Sequence, residues 1–287
     1  MPISAPWLLV TPARNERDRL PQLAASLAAQ TVQTIGLWVI VDDGSDDGTA
    51  ECVDPQSMPF PVHVLRRTNT GGLLGASERV AFADGVAAGL ERLPDAERVL
   101  KIDADLVLAP DHFAALTKVA PDVGVIGGVI ADVADRSQPH HVRGGLRAYN
   151  RAAWDVAAGV PIALGWDVLD EVAIRAAGLE IRVVPEAIAT SARRTGSSEG
   201  VLRGRRRGGV VARWTGYHPA YFALRLVRYS AMRPVGVGSA VMLWAYVTAG
   251  PGPFAAELKR ANRTEQTARL HALARSPVRW FRENMRG

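Results

Sequence analysis

Two kinds of hydrophobic pattern alternate along the first half of the chain. WLLVT (7–11) and GLWVIV (36–41) are unbroken apolar runs, as in strands with both faces buried; between them Leu20, Leu23, Ala24 and Leu27 recur at the spacing of one helix face. The unit repeats. VHVL (62–65) predicts a short strand, the alanine-rich stretch 75–90 a helix, RVLKI (98–102) another strand, and a further helix is expected after Pro110. This alternation predicts an α/β fold with a doubly wound, mostly parallel sheet. Farther on, VGVIGGVI (123–130) and EIRVVP (180–185) read as strands, 132–145 as a polar loop, and 169–177 as a helix capped by Gly178. From residue 193 the pattern changes to arginine, glycine and aromatic residues, then an uncharged stretch at 234–256, then an arginine-rich, helix-like tail.

In a doubly wound sheet the ligand lies beyond the carboxyl ends of the strands. Three of those ends carry polar clusters: PARNE (12–16), DDGSDDGT (42–49) and DAD (103–105). Asp103 and Asp105, on alternate positions at a strand end, point the same way and repel each other, so a positive partner is expected. A hard divalent cation with oxygen ligands suits that place. A solvated acidic loop, or the nucleophile loop of a haloacid dehalogenase-type phosphatase, are the alternatives; the phosphatase needs a downstream lysine in a fitting context, and neither Lys118 nor Lys259 has one. DDGSDDGT departs from an EF-hand at its twelfth position, Asp54, and is entered from a strand. It reads either as an Asp/Gly turn or as a strand-top carboxylate, Asp43, that accepts the imide N–H of a uracil or thymine or holds a ribose hydroxyl. No P-loop exists. His140 and His141 read as surface residues.

At 287 residues and 48% hydrophobic, the chain can bury a sizeable core. Cys52, the single cysteine, excludes an intrachain disulfide, and the apolar run at 7–10 is too short for a signal peptide, so a cytoplasmic location is expected. Charge is uneven. Residues 1–192 carry 16 basic against 25 acidic side chains, net −9, and residues 193–287 carry 18 against 4, net +14. The basic end suits phosphates or an anionic bilayer; RGRRRGG lacks a nucleic-acid reader module, so no nucleic-acid partner is expected.

PARNE, VDDGSDDGT, NTGG, KIDADLVLAP and GWDVLDEVAIRAAG, in this order, resemble glycosyltransferase family 2, inverting nucleotide-sugar enzymes with the A-type fold. The likeness covers residues 7–192 and, more loosely, TGYHP at 215–219. It implies a nucleotide-sugar-binding half over 1–115, an acceptor-binding half over 116–192, and a basic, partly apolar extension over 193–287. By motif, Pro12, Asn15, Glu16, Asp42 and Asp43 would hold the nucleoside. Asp103 and Asp105 would form the DxD pair for Mg²⁺ or Mn²⁺ on the donor diphosphate, Asp105 the more direct ligand and Asp103 partly a ribose ligand. Asp167 would be the general base. Two departures stand out: Trp166 replaces the family's glutamate before that base, and Ser191 and Ala192 stand where a metal-side histidine is common. Asp170 and Glu171 share a helix face with Asp167 and compete for its role.

The implied reaction is an inverting transfer from a nucleotide-diphospho-sugar, a UDP-sugar preferred, to a hydroxyl acceptor that can be lipid-linked, in envelope polysaccharide or glycolipid assembly. A catalytically inactive nucleotide-binding accessory protein is the alternative. Arg193, Arg194 and the cluster from Arg203 to Arg207 read as phosphate ligands or as a solvated basic loop. The uncharged stretch, helical over 235–249, is too short to span a bilayer. With flanking arginines and Trp244, Tyr246, Trp280 and Phe281, it reads as a docking surface on the inner face of the cell membrane, or as a hairpin packed on the protein's own core.

Overall fold

The computed structural model describes residues 6–69, 76–131, 141–191, 201–233 and 235–276. Among these, eight strands form one sheet: β1 (Trp7–Ala13), β2 (Ile35–Asp43), β3 (Val62–Arg67), β4 (Arg98–Ile102), β5 (Leu106–Leu108), β6 (Val125–Ile130), β7 (Leu146–Asn150) and β8 (Ile181–Ser191), in the spatial order β3-β2-β1-β4-β7-β6-β8-β5. β3, β2, β1 and β4 run parallel, as the alternation predicts. Beyond β4 the sheet is mixed: β6 is parallel to β8, while β7 is antiparallel to β4 and β6, and β5 to β8.

The apolar runs follow from burial on both faces. Trp7 and Leu9 of β1 pack with Leu20, Leu23 and Leu27 of α1 (Leu20–Ala28) and with Phe113 of α3 (His112–Leu116). Leu8 and Val10 face the other way, toward Phe82 and Val86 of α2 (Ala76–Arg92) and Trp154 of α4 (Arg151–Ala158). Each fully buried side chain of this kind contributes roughly 2 kcal/mol. The helix expected over 169–177 is α5 (Trp166–Ala176); it starts earlier, with Gly165 at its N-cap, and Gly178, at φ 80°, follows its end as expected. β5, β7 and α4 were not expected. β5 has three residues, too few to show a period, and β7 carries Arg147 inward.

The C-terminal extension is helical: α6 (Val201–Trp214), α7 (Pro219–Ser230), α8 (Val237–Thr248) and α9 (Ala256–Arg275). It is fastened to the body. Arg175 of α5 donates to Glu265 of α9 (2.9 Å), and a Cβ at Gly165 would fall 2.7 Å from Thr215 Cγ2; within the extension, Asn262 donates to the Thr215 carbonyl (2.8 Å). α8 lies against α6 through Met242 and Ala245, where Gly208 and Gly209 of α6 leave room for the approach. Among the described residues, no helix is long and apolar enough to cross a membrane.

Candidate active site

β1 pairs with β4 only as far as Val10 with Lys101, but with β2 as far as Ala13 with Asp42. The carboxyl ends of β1 and β4 therefore part, and this opening is the switch point at which such sheets take ligands. Pro12 lies on the freed end of β1, where its missing N–H breaks no pairing with β4. Asn15, in the left-handed region at φ 56°, ties the two neighbouring loops together. Its N–H donates to Ser45 Oγ (3.0 Å) and its Oδ1 accepts from the Asp46 N–H (3.1 Å). The Glu16 N–H donates to Thr49 Oγ1 (2.9 Å), and Asp42 accepts from the Ser45 N–H (3.1 Å). Asp47 closes the turn; its hydrogen bond from Thr49 holds its carboxyl below the ordinary value. The structure thus brings Pro12, Asn15, Glu16, Asp42 and Asp43 to one wall.

Asp43 is more occupied than the sequence suggests. Arg67 pairs with one of its oxygens, and Asn69 (2.7 Å) and Ser77 (2.6 Å) donate to the other. These donors come from the end of β3, the loop after it and the first turn of α2. Asp43 therefore knits three elements together.

The opposite wall carries Asp103 and Asp105. Val99, Lys101 and Asp103 share a face, which brings the wholly buried Lys101 ammonium against both Asp103 and Glu78 of α2. Burial works against that charge, but the two carboxylates more than compensate and push the Lys101 pKa above its ordinary value. Against the pull of desolvation, Lys101, with Arg207 and Arg147 farther off, holds the Glu78 carboxyl low. Arg207 lies on α6, so the basic extension reaches this wall. Asp105 has no hydrogen-bond or ion-pair partner among the described residues. No cluster of three or more metal-ligating side chains exists there either. Two carboxylates with one of Asp103's oxygens already paired still suit a Mg²⁺ or Mn²⁺ ion that completes its shell with diphosphate and water.

Gly144 and Gly145 join this wall to α5. The Gly145 carbonyl accepts from the Asp103 N–H (2.9 Å), and a Cβ on Gly145 would fall 2.7 Å from Asp103 Cγ; a Cβ on Gly144 would lie 3.9 Å from Asp167 Oδ2. Asp103 and Asp167 thus flank a two-residue stretch of bare backbone.

Asp167, half-buried in the first turn of α5, has a carboxylate without a hydrogen-bond or ion-pair partner among the described residues. Its two competitors are committed elsewhere. Asp170 is fully buried and accepts from Arg147 (2.8 Å) and from the Tyr149 hydroxyl (2.6 Å). Glu171, equally buried, accepts from the Val142 N–H (3.0 Å) and pairs with His141, Arg147 and Arg175. Burial raises the Asp170 carboxyl despite Arg147; in Glu171 burial is outweighed by His141 and the two arginines, and the carboxyl is lowered. Trp166 lies face-on to Arg79 and Arg147, with guanidinium carbons 5.1 and 5.7 Å from its ring centre. The expected surface residue His141 is therefore a partner of Glu171.

Arg193, Arg194, Ala192, Pro234, Trp280 and Phe281 lie outside the described residues, as do His140 and most of NTGG and of the polar loop. Sequence reading missed Lys101, Glu78, Arg147 and Tyr149. A lysine inside the apolar run RVLKI was a usable signal, because a buried ammonium requires a partner.

The sequence profile of glycosyl transferase family 2 matches residues 8–157. A polyprenol monophosphomannose synthase of Mycolicibacterium smegmatis is 34% identical over 111 residues, 38% of this chain and 38% of the relative. An undecaprenyl-phosphate mannosyltransferase of Micrococcus luteus is 32% identical over 122 residues, 42% of this chain and 46% of the relative. The matches thus span less than half the length of these curated relatives. Among solved structures, the mannosyltransferase PcManGT from Pyrobaculum calidifontis, in complex with GDP-Man and Mn²⁺, aligns over 100% of this chain and 88% of its own, with a TM-score of 0.53 at 20% identity.

Proposed function

Since the chain belongs to glycosyl transferase family 2, we propose that it transfers a hexose, with inversion and with the help of a divalent cation, from a nucleotide-diphospho-sugar to a lipid-linked hydroxyl acceptor. The observation that carries this reading is that Asp103, next but one to Asp105, and Asp167 flank the Gly144–Gly145 backbone, with Asp105 and Asp167 both without a hydrogen-bond or ion-pair partner among the described residues. Residues 1–115 act as the donor half and 116–192 as the acceptor half. Pro12, Asn15, Glu16 and Asp42 line the nucleoside wall, and Asp105 with the free oxygen of Asp103 holds the cation. A bound Mg²⁺ or Mn²⁺ would neutralise charge growing on the leaving nucleoside diphosphate. Asp167 takes the proton of the acceptor hydroxyl at a carboxylate oxygen as that hydroxyl attacks from the far face of the sugar.

The uridine preference rested on Asp43 meeting the base, and Arg67, Asn69 and Ser77 already fill that carboxylate. GDP-mannose becomes the first donor to try, supported by the mannosyltransferase relatives and by the ligand of PcManGT. A melting-temperature screen of GDP-mannose, UDP-glucose and UDP-N-acetylglucosamine, each with and without Mn²⁺, tests the reading. One donor should stabilise the protein only with the cation, and chelator should abolish transfer; retained transfer in chelator rejects the metal role.

A second reading has its own support, the polyprenyl-phosphate acceptors in the relatives' names and the basic helix α6. There the nucleophile is a phosphate oxygen, already anionic at neutral pH, so the attack needs no base and Asp167 would have no proton to take.

The extension supports work at a membrane surface. α8 contains no charged residue, and the side opposite Met242 and Ala245 exposes Leu243 (45%), Trp244 (58%) and Val247 (69%). A solvated helix is polar on that side. Residues 201–256 carry eight arginines and no acidic residue, which suits an anionic leaflet. The full chain should float with phosphatidylglycerol vesicles at low salt and detach as salt rises, and Leu243→Ser with Trp244→Gln should cut the bound fraction by about tenfold.

A further inference from the structure

A carboxylate pair built to take a divalent cation should attract that cation even without a donor. This pair has an internal cation beside it. Lys101 is wholly buried, with Nζ against Asp103 Oδ1 on one side and Glu78 Oε1 on the other. Buried ammonium groups are retained only where carboxylates compensate them. The charges divide simply: Lys101 cancels one of its two acids, so the Lys101–Glu78 pair is neutral and the charge of Asp103 and Asp105 is undiminished. What the pair changes is access and posture. One oxygen of Asp103 is fixed on an ammonium, and its N–H is held by Gly145, so Asp103 keeps its orientation beside Asp105 without a metal.

We propose that Lys101 and Glu78 are positioning residues that brace Asp103 and keep a divalent cation from settling on the site until a nucleoside diphosphate brings it. This rests on the metal role assigned to Asp103 and Asp105 above. Removing the ammonium leaves Glu78 and Asp103 uncompensated beside Asp105, and the added negative charge draws a divalent cation to the Asp103–Asp105 pair without a nucleotide. Removing Glu78 instead leaves Lys101 to cancel Asp103, which weakens the site for any cation.

The test reads binding and needs no turnover. Melting temperature and free Mn²⁺ by electron paramagnetic resonance are measured for the full chain and for Lys101→Met, Lys101→Arg and Glu78→Gln, with Mn²⁺ alone and with Mn²⁺ plus GDP or UDP. The wild type and Lys101→Arg should respond to Mn²⁺ only with nucleotide. Lys101→Met should bind Mn²⁺ alone, gaining about 4 °C. Glu78→Gln, altered at a half-exposed side chain, should fold normally and lose about tenfold in affinity for Mn²⁺ with nucleotide. A Lys101→Met protein that folds but ignores Mn²⁺ alone, or a wild type that binds Mn²⁺ equally well without nucleotide, overturns the brace. If Lys101→Met does not fold, unchanged affinity in Glu78→Gln overturns it. No response to Mn²⁺ by any variant, even with nucleotide, overturns the metal role itself and the brace with it.

Discussion

Asp105 and Asp167 are half-buried and differ from Asp103, which is half-buried as well, in company alone, and from the fully buried Asp170 and Glu171 in both company and exposure. The second group is held by Lys101, Arg147, Tyr149, His141 and Arg175. The first has no such partners among the described residues. Both groups lie within a few residues of one another in sequence, so the contrast is made in space, by β4 and β7. Partnered acids hold elements together, whereas unpartnered acids at the mouth of a crevice remain available to something that arrives.

The largest effect should come from Asp105, the acid proposed above to hold the cation. Asp105→Ala should abolish transfer and the Mn²⁺-dependent part of nucleotide binding while leaving the melting temperature nearly unchanged, because no described residue makes a hydrogen bond or ion pair with that carboxylate. Asp167→Asn comes next. It keeps size and hydrogen bonding but cannot take a proton, so turnover should fall by about a hundred- to ten-thousandfold with donor affinity preserved. A loss below about tenfold would instead identify a phosphate acceptor. Asp170→Asn sharpens the contrast: its damage should appear in the urea midpoint. Should it depress turnover more than Asp167→Asn at equal stability, the division between bare and partnered acids fails.

Arg147→Met strikes the partnered group directly. It strands Asp170 and Glu171 in the interior and should destabilise the protein by about 3–5 kcal/mol, read from urea unfolding at pH 7.5. The smallest effect concerns a partnered group without charge. His112 is buried, with Nδ1 3.0 Å from the Ile188 carbonyl, and desolvation depresses its pKa to about 4 from the ordinary 6.5. The unfolded chain therefore binds a proton that the folded one refuses between those values. Stability from this residue is complete above pH 6.5 and is lost as pH falls toward 4, by roughly 3 kcal/mol in all. His112→Gln should flatten the acid limb of the stability curve by that amount.

The sequence announces β1, β2 and β4 because each is buried on both faces, so that hydrophobic side chains run through successive positions instead of alternating, broken in β4 by Arg98 and Lys101. It does not announce β7, whose Arg147 and Tyr149 face a buried polar network and read, in one dimension, as loop residues. The crevice was legible for the same reason as the strands: PARNE, DDGSDDGT and DAD sit where apolar runs stop. The rank order among Asp167, Asp170 and Glu171 was not, because i+3 and i+4 spacing puts all three on one helix face. Their separation depends on Arg147, twenty residues upstream of Asp167. The double occupation of Lys101 was half visible, since the lysine stands in plain view within an apolar strand beside Asp103, but its second acid, Glu78, comes from another element altogether.

Gly145 sets the approach to Asp103 by backbone alone, a ruler with no adjustable part at that end. At position 145 any side chain would strike the Asp103 carboxylate before it could narrow or reshape a pocket. A side chain at 145 therefore has to displace that carboxylate and cannot simply fill space beside it. Position 144 is looser: a Cβ there would meet Asp167 only at ordinary contact distance, so the ruler is fixed at its Asp103 end and open at the other.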